Sequence, residues 1–275
     1  MTTIFTTPPE NSLAVERLRE QELEEARLIQ SSMFPSQALH AGAVVVSHEF
    51  QPVTEVGGDY LDYFNLSDET LGLYIGDVSG KGLPAALYAA LAVGTLRGVH
   101  KTGQQPGRVL ALLNQRLSLR CIPGRHSALQ YALFDPVTGE MRIASAGMPG
   151  PLLLREGECQ ILQIAGIPPG LFPNVSYEEL SLRLRPGDTL LFCTDGLTDA
   201  RDANGQEFGL EGLQEVCIRH AAAKPLDLLE QIFKAIQQFT RDCRQWDDMA
   251  AAVFHYTSQA DETHVPREKR SDFSI

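Results

Sequence analysis

The sequence predicts an α+β fold in which antiparallel sheets are layered with helices and one long helix comes first. Three observations predict it. Short strand-like runs are frequent, and two of them, "ALQYALFD" and "EMRIASAG", are joined by Pro136-Val137-Thr138-Gly139, a hairpin turn. The helical segments come in pairs instead of alternating with single strands, which argues against a parallel βαβ sheet. The 275 residues are 43% hydrophobic and no Pro/Gly/Ser-rich linker divides the middle, so one large core with appendages is expected.

Residues 1–10 are rich in Thr and Pro and are expected to be disordered. Residues 11–35 form a linker or regulatory helix, because Leu13 to Phe34 contains no Gly or Pro and Pro35 stops it. Its apolar positions, Val15, Leu18, Leu23, Ala26, Ile29 and Met33, make a narrow, interrupted stripe. That stripe suits packing on the domain or pairing with a second copy. The main domain spans 36–256. Strands are expected at "AVVVSHEF", "YLDYFNL" and "TLGLYIGDV", followed by a helix from Pro84 through His100 and another over "PGRVLALLNQRLSLR". After the hairpin come "PLLLR", "CQILQIA", "EELSLRL" and "DTLLFCTDG", two helices near 209–223 and 225–241, and a closing strand "MAAAVFHY". The polar tail, 257–275, is expected to be disordered.

A formal charge of −12 argues against general attraction to nucleic acid or an anionic membrane. Cys121, Cys159, Cys193, Cys217 and Cys243 are odd in number and widely spaced, which supports neither a disulfide framework nor a zinc site. The start lacks a basic segment followed by an apolar run, and no stretch of 18 apolar residues is evident; a cytoplasmic, soluble chain is expected.

The glycines at 80 and 82 raise the question of a phosphate loop. A Walker A loop needs four residues between its glycines and Ser or Thr after the lysine; here only Asp77, Val78 and Ser79 separate Gly76 from Gly80, and Gly82 follows Lys81. These glycines serve a tight turn. Asp77 carries more information, because it ends an apolar strand. Asp59 follows Gly57-Gly58 before a strand, Asp195 follows "TLLFCT", and Asp247-Asp248 precede "MAAAVF". Four carboxylate sites at strand ends suit oxygen ligation of hard divalent cations if they converge. Asp62 and Asp199 either join such a cluster as auxiliary ligands or are solvated. No G-x-S-x-G motif is present, and Cys193, inside an apolar strand, reads as an inert thiol.

The phrases "EVGGDYLDYF", "IGDVSGKGLPAALYAA", "LLFCTDGLTDA", "GQEFGLEGL" and "WDDMAAAVF", in that order, resemble the bacterial PPM (PP2C-like) serine/threonine phosphatases of the RsbU/SpoIIE type. "EEARLIQSSMFP" is similar to the segment preceding their catalytic domains. The resemblance implies a four-layer α/β/β/α sandwich of two mainly antiparallel sheets holding two Mn²⁺ or Mg²⁺ ions. It implies Asp59, Asp77 with the Val78 carbonyl, Asp195 and Asp247 as metal positions, with Asp62, Asp199 and Asp248 as auxiliary candidates; no substrate-binding residue is assigned. It also implies hydrolysis of phosphoserine or phosphothreonine on a regulatory protein, a STAS-type anti-sigma-factor antagonist, by a water bridging the two ions. A homodimer through the N-terminal helix is expected. Where the family carries Asn-Ala-Gly-His-Pro, this chain has Ser145-Ala146-Gly147-Met148-Pro149, so that loop is expected to bear on substrate positioning and Met148→His to alter activity without loss of folding. The alternatives are a catalytically silent partner-switching module acting through its first helix, and a small-molecule phosphoesterase.

Overall fold

The computed structural model describes residues 10–66, 70–100, 103–119, 121–241 and 243–257. The elements follow in the order α1 (Glu10–Ser31), β1 (Leu39–Ala41), β2 (Val44–Gln51), β3 (Tyr60–Asn65), β4 (Leu71–Val78), α2 (Gly82–His100), α3 (Pro106–Ser118), β5 (Ser127–Asp135) and β6 (Glu140–Ala146). They continue with β7 (Leu152–Arg155), β8 (Glu158–Ile161), β9 (Glu179–Arg183), β10 (Thr189–Cys193), a 3-10 turn at Asp195–Leu197, α4 (Gly209–Arg219), α5 (Pro225–Thr240) and β11 (Met249–Tyr256). The expected disorder of 1–9 and 258–275 lies outside the described residues. Glu10 belongs to α1, and Thr257 donates its N–H to the Ala43 carbonyl at 2.6 Å.

Two antiparallel sheets stack face to face. One has the strand order β1-β2-β11-β10-β7-β8, the other β3-β4-β5-β6-β9. Between them lies an apolar layer that includes Val46, Leu73, Ile75, Phe134, Ile143, Phe192 and Phe254. A second layer joins the five-stranded sheet to α2 and α3, and a third joins the six-stranded sheet to α4 and α5. The result is the α/β/β/α sandwich. β4 shows no apolar/polar alternation because both of its faces are covered. Its glycines make room for aromatic rings: Gly72 pairs with Phe64 and Gly76 with Tyr60 across β3, and each ring fills the space where a Cβ would stand.

α1 ends at Ser31, one turn before Pro35, as Ser31 and Ser32 turn their hydroxyls onto the carbonyls of Arg27 and Ile29. The face it presents to the domain is Leu23, Ala26, Gln30 and Met33, at helical spacing. Val15, Leu18, Leu28 and Ile29 are exposed, so of the expected stripe only its middle and its last residue face inward.

Among the described residues one helix, α2, is long and apolar enough on average to cross a membrane. Ala85, Ala89, Ala92, Val93 and Leu96 of this helix are buried against the sheet. All five cysteines are free thiols, and burial pushes Cys193 up to about 12, as an inert core thiol requires.

Candidate active site

Antiparallel pairing places the strand-end aspartates together. Asp59 precedes β3, whose first residue pairs with Gly76, so it stands beside Asp77 near the end of β4. Asp195 leaves β10 where β11 begins, because Cys193 pairs with Ala251; Asp247 and Asp248 precede that same start. β11 of one sheet approaches β3 and β4 of the other, closing the four strand ends into one rim of the sandwich.

Asp59 is the deepest of them, with 1% of its surface exposed. Its carboxylate accepts the Thr194 hydroxyl at 2.7 Å, while that hydroxyl accepts the Ala250 N–H at 3.0 Å. Thr194 is thereby locked as a donor that fixes the Asp59 rotamer across the two sheets. Asp59 and Asp77 are both held above the usual carboxylate range, first by burial and then by neighbouring negative charge. Asp195 is raised by partial desolvation and then by the charges of Asp199 and Asp247, although its side chain reaches the surface. Asp247 is half-exposed and pairs with Lys81 at 3.1 Å. The lysine, read from sequence as a solvated loop residue, is the counter-charge to this rim.

The glycines serve close approach. A Cβ on Gly58 would stand 2.8 Å from the Val78 carbonyl oxygen, and one on Gly57 would stand 2.5 Å from the Asp248 carboxyl. Asp248 accepts the N–H groups of Val53 and Gly58, each at 2.7 Å, so it anchors the loop that delivers Asp59. The other side of this loop is held by Gln30 of α1. Its amide donates to the Gly57 carbonyl at 2.6 Å and accepts the Gly57 N–H at 3.0 Å. Gly80, with φ 92°, lets Arg125 reach the Ser79 carbonyl and pin the following turn.

Of the sequence-derived positions, the rim gathers Asp59, Asp77, Val78, Asp195, Asp247 and Asp248, with Asp199 exposed beside Asp195. It does not gather Asp62. That side chain lies on the helix-facing side of β3, paired with Arg97 of α2 at 2.9 Å and hydrogen-bonded by Tyr74. Among the described residues no three acidic, His or Cys side chains already form a closed metal-ligating set. The donor chemistry nonetheless fits a hard cation. The rim carboxylates repel one another, Lys81 is the one basic partner paired with them among the described residues, and uncompensated like charges hold such side chains apart.

Thr194 and Gln30 went unread in the sequence. Thr194 stands beside Asp195 in "CTDG" and was within reach of a reading that asked what orients a buried carboxylate. Gln30, one polar residue on a polar helix, gave no local signal. Gln30→Ala leaves two buried backbone groups of Gly57 without partners, each costing about 1–3 kcal/mol. The expected outcome is a lower melting temperature and a higher Mn²⁺ concentration for half-maximal turnover; an unchanged metal requirement would separate the clamp from the site.

The "SAGMP" departure has a different meaning from the one the sequence suggested. Met148 points into the layer between the sheets, with 7% of its surface exposed, and Ser145 is buried with its hydroxyl on the Met148 carbonyl at 3.3 Å. Met148→His places an imidazole among aliphatic groups and is expected to cost about 1–3 kcal/mol in urea unfolding, with no gain of activity. A stability equal to wild type would show that the ring finds a polar partner.

Comparisons with known proteins agree with this fold. The family described as Stage II sporulation protein E (SpoIIE) matches residues 67–257. Protein IcfG of Synechocystis sp. is 30% identical over 241 residues, covering 76% of this chain and 38% of that protein. Phosphoserine phosphatase RsbU of Bacillus subtilis is 26% identical over 219 residues, 79% of this chain and 63% of that one. The chain thus spans less than two thirds of these curated relatives. Among solved structures, the SiaA-PP2C domain of Pseudomonas aeruginosa superposes with a TM-score of 0.80 at 22% identity, over 88% of this chain and 99% of that domain, a likeness of fold.

Proposed function

Because the chain belongs to the SpoIIE family of PP2C-type phosphatases, we propose that it removes phosphate from phosphoserine or phosphothreonine on a cytoplasmic regulatory protein, a STAS-type antagonist of an anti-sigma factor. The observation that supports this reading is the convergence of Asp59, Asp77, Asp195 and Asp247 from four strand ends onto one rim. Asp59, Asp77 with the Val78 carbonyl, Asp195 and Asp247 would hold two Mn²⁺ or Mg²⁺ ions; when bound, such ions activate water for in-line attack and neutralise the phosphoryl oxygens. The related fold of RsbX has been described in complex with magnesium.

This chain's own residues prepare the rim for that chemistry. Thr194 holds Asp59 in one rotamer, so its carboxylate need not reorganise when charge arrives. Asp248 and Gln30 hold the Gly57-Gly58 turn, which delivers Asp59, from two sides. Lys81 balances Asp247 and stands where an incoming phosphate would meet a cation. The direct test is release of phosphate from a phosphorylated STAS-domain protein with added Mn²⁺, with Asp195→Asn as the silent control. Turnover by neither protein, on this substrate and on p-nitrophenyl phosphate, would instead favour the non-catalytic partner-switching role.

The first helix is the regulatory element of the proposal, and it pairs with a second copy. Its exposed Val15, Leu18, Leu28 and Ile29, with Leu83, Leu87 and Leu91 on the outer face of α2, leave apolar surface uncovered in one chain. Helices of this length in water draw most of their stability from packing. Removing residues 1–21 is expected to halve the mass in solution; an unchanged mass would leave α1 with the Gln30 clamp alone.

A further inference from the structure

A groove of about 770 Å³ runs beside the rim, between α5 and the loop that leads into β11. Gly196 and Met249 line it, and they follow Asp195 and Asp248 directly in the chain, which sets the groove beside the rim. Its floor is apolar and buried, formed by Phe233, Ile236 and Met249. Over this floor stands Trp246, directly before Asp247 and 65% exposed. An indole left that open, beside a reactive cluster, forgoes a large burial that a partner would restore. The loop carrying it is tied down: the Gln245 amide donates to the Gln51 carbonyl at 2.8 Å and to the Asp247 carbonyl at 2.7 Å.

The charge around the groove runs against that of the molecule. Among its described lining residues Arg201, Lys234, Arg241 and Arg244 face Glu49 and Glu230, whereas the whole chain carries −12. Arg201 is engaged by Glu207, which leaves three exposed cations along α5 and its C-terminal loop. A polypeptide lying here needs an apolar side chain for the floor and negative charge for the cations. Consecutive Cα atoms are about 3.8 Å apart, so a phosphoresidue at the rim has its immediate neighbours within reach of Trp246.

We infer that this groove docks the stretch of substrate flanking the phosphoresidue, and that it selects an acidic segment carrying a large apolar side chain, with Trp246, Lys234 and Arg244 as the selecting residues. The inference rests on the phosphatase reading above and adds where and how the polypeptide is recognised.

Trp246 is the single tryptophan of the chain, so intrinsic emission reports on the groove without any turnover. Two phosphoserine decapeptides serve as probes, one flanked by Glu and Leu, the other by Lys and Leu. The acidic peptide is expected to give a saturable change in emission at a concentration at least tenfold below that of the basic one. With Mn²⁺, Trp246→Ala is expected to raise KM for the acidic peptide at least fivefold while kcat stays within twofold. Lys234→Glu with Arg244→Glu, both exposed positions, is expected to invert the ratio of kcat/KM between the peptides, and it keeps the test available should the tryptophan variant fail to fold. Equal KM values for both peptides with flat emission would overturn the groove and leave the phosphatase reading standing. Saturable emission without turnover of either peptide or of p-nitrophenyl phosphate would do the reverse.

Discussion

Asp77→Asn is expected to lower turnover by on the order of 10³-fold and, in the absence of divalent cations, to raise the melting temperature. The two effects have one origin. Asp77 is pushed up to about 7 from an ordinary 3.8, chiefly by burial and then by the charge of Asp195, and Asp59 shifts the same way. A carboxyl whose folded value lies above its unfolded one stabilises the fold fully below the unfolded value and loses that contribution as pH rises to the folded value. The metal-free protein should therefore lose stability between about pH 4 and pH 7, and added Mn²⁺ should restore it at neutral pH. Asn keeps the shape without the charge, so the variant should melt higher at pH 7 and show a shallower slope across that window. Differential scanning calorimetry in EDTA and in Mn²⁺ decides the matter. A variant that melts lower than wild type in EDTA, or keeps the full slope, would mean that the rim is not a site of accumulated like charge.

Gly196→Ala is expected to cost about 3 kcal/mol or more and to remove activity with it. Gly196 is the middle residue of the 3-10 turn after β10, and a Cβ there would occupy the space of the Asp248 carbonyl oxygen. The obstacle is backbone rather than a side-chain end, so relief requires β10 and β11 to part where Asp195 and Asp247 must meet. Gly94, exposed on α2 with open space around it, supplies the contrast: Gly94→Ala should stabilise by about 1 kcal/mol through helix propensity. Chemical denaturation of both variants separates close packing from propensity, and a Gly196→Ala midpoint within error of wild type would sink the close-contact argument.

Much of the fold was legible because its signals are local. The strand runs, the hairpin at Pro136–Gly139 and the helices beginning at Pro106 and Pro225 fall where periodicity and turn chemistry put them. The strand-end aspartates were legible as positions, and antiparallel pairing accounts for how they meet. What the sequence hid was orientation across space. Asp62 sits three residues from Asp59, and the two-residue period of a strand sends it to the helix side, where Arg97 waits. Met148 was read through the loop it interrupts, whereas its apolar side chain already pointed to burial. Gln30 pairs with Gly57 across 27 positions, and nothing near Gln30 announces the partner. The apolar stripe of α1 misled for the same reason: the face that docks is set by that polar clamp, which rotates Ile29 into solvent.

The borders of the two sheets carry a further consequence, for how the protein avoids clumping. The six-stranded sheet ends in short strands, β1 with three residues and β8 with four. The five-stranded sheet ends in β9, whose Glu179 carboxylate accepts the Gly107 N–H at 2.9 Å and whose Arg183 is exposed, and in β3, whose Asp62 is bridged to α2. Short or charged borders make poor templates for adding a foreign strand. Fibril-like growth is thereby discouraged at all four borders.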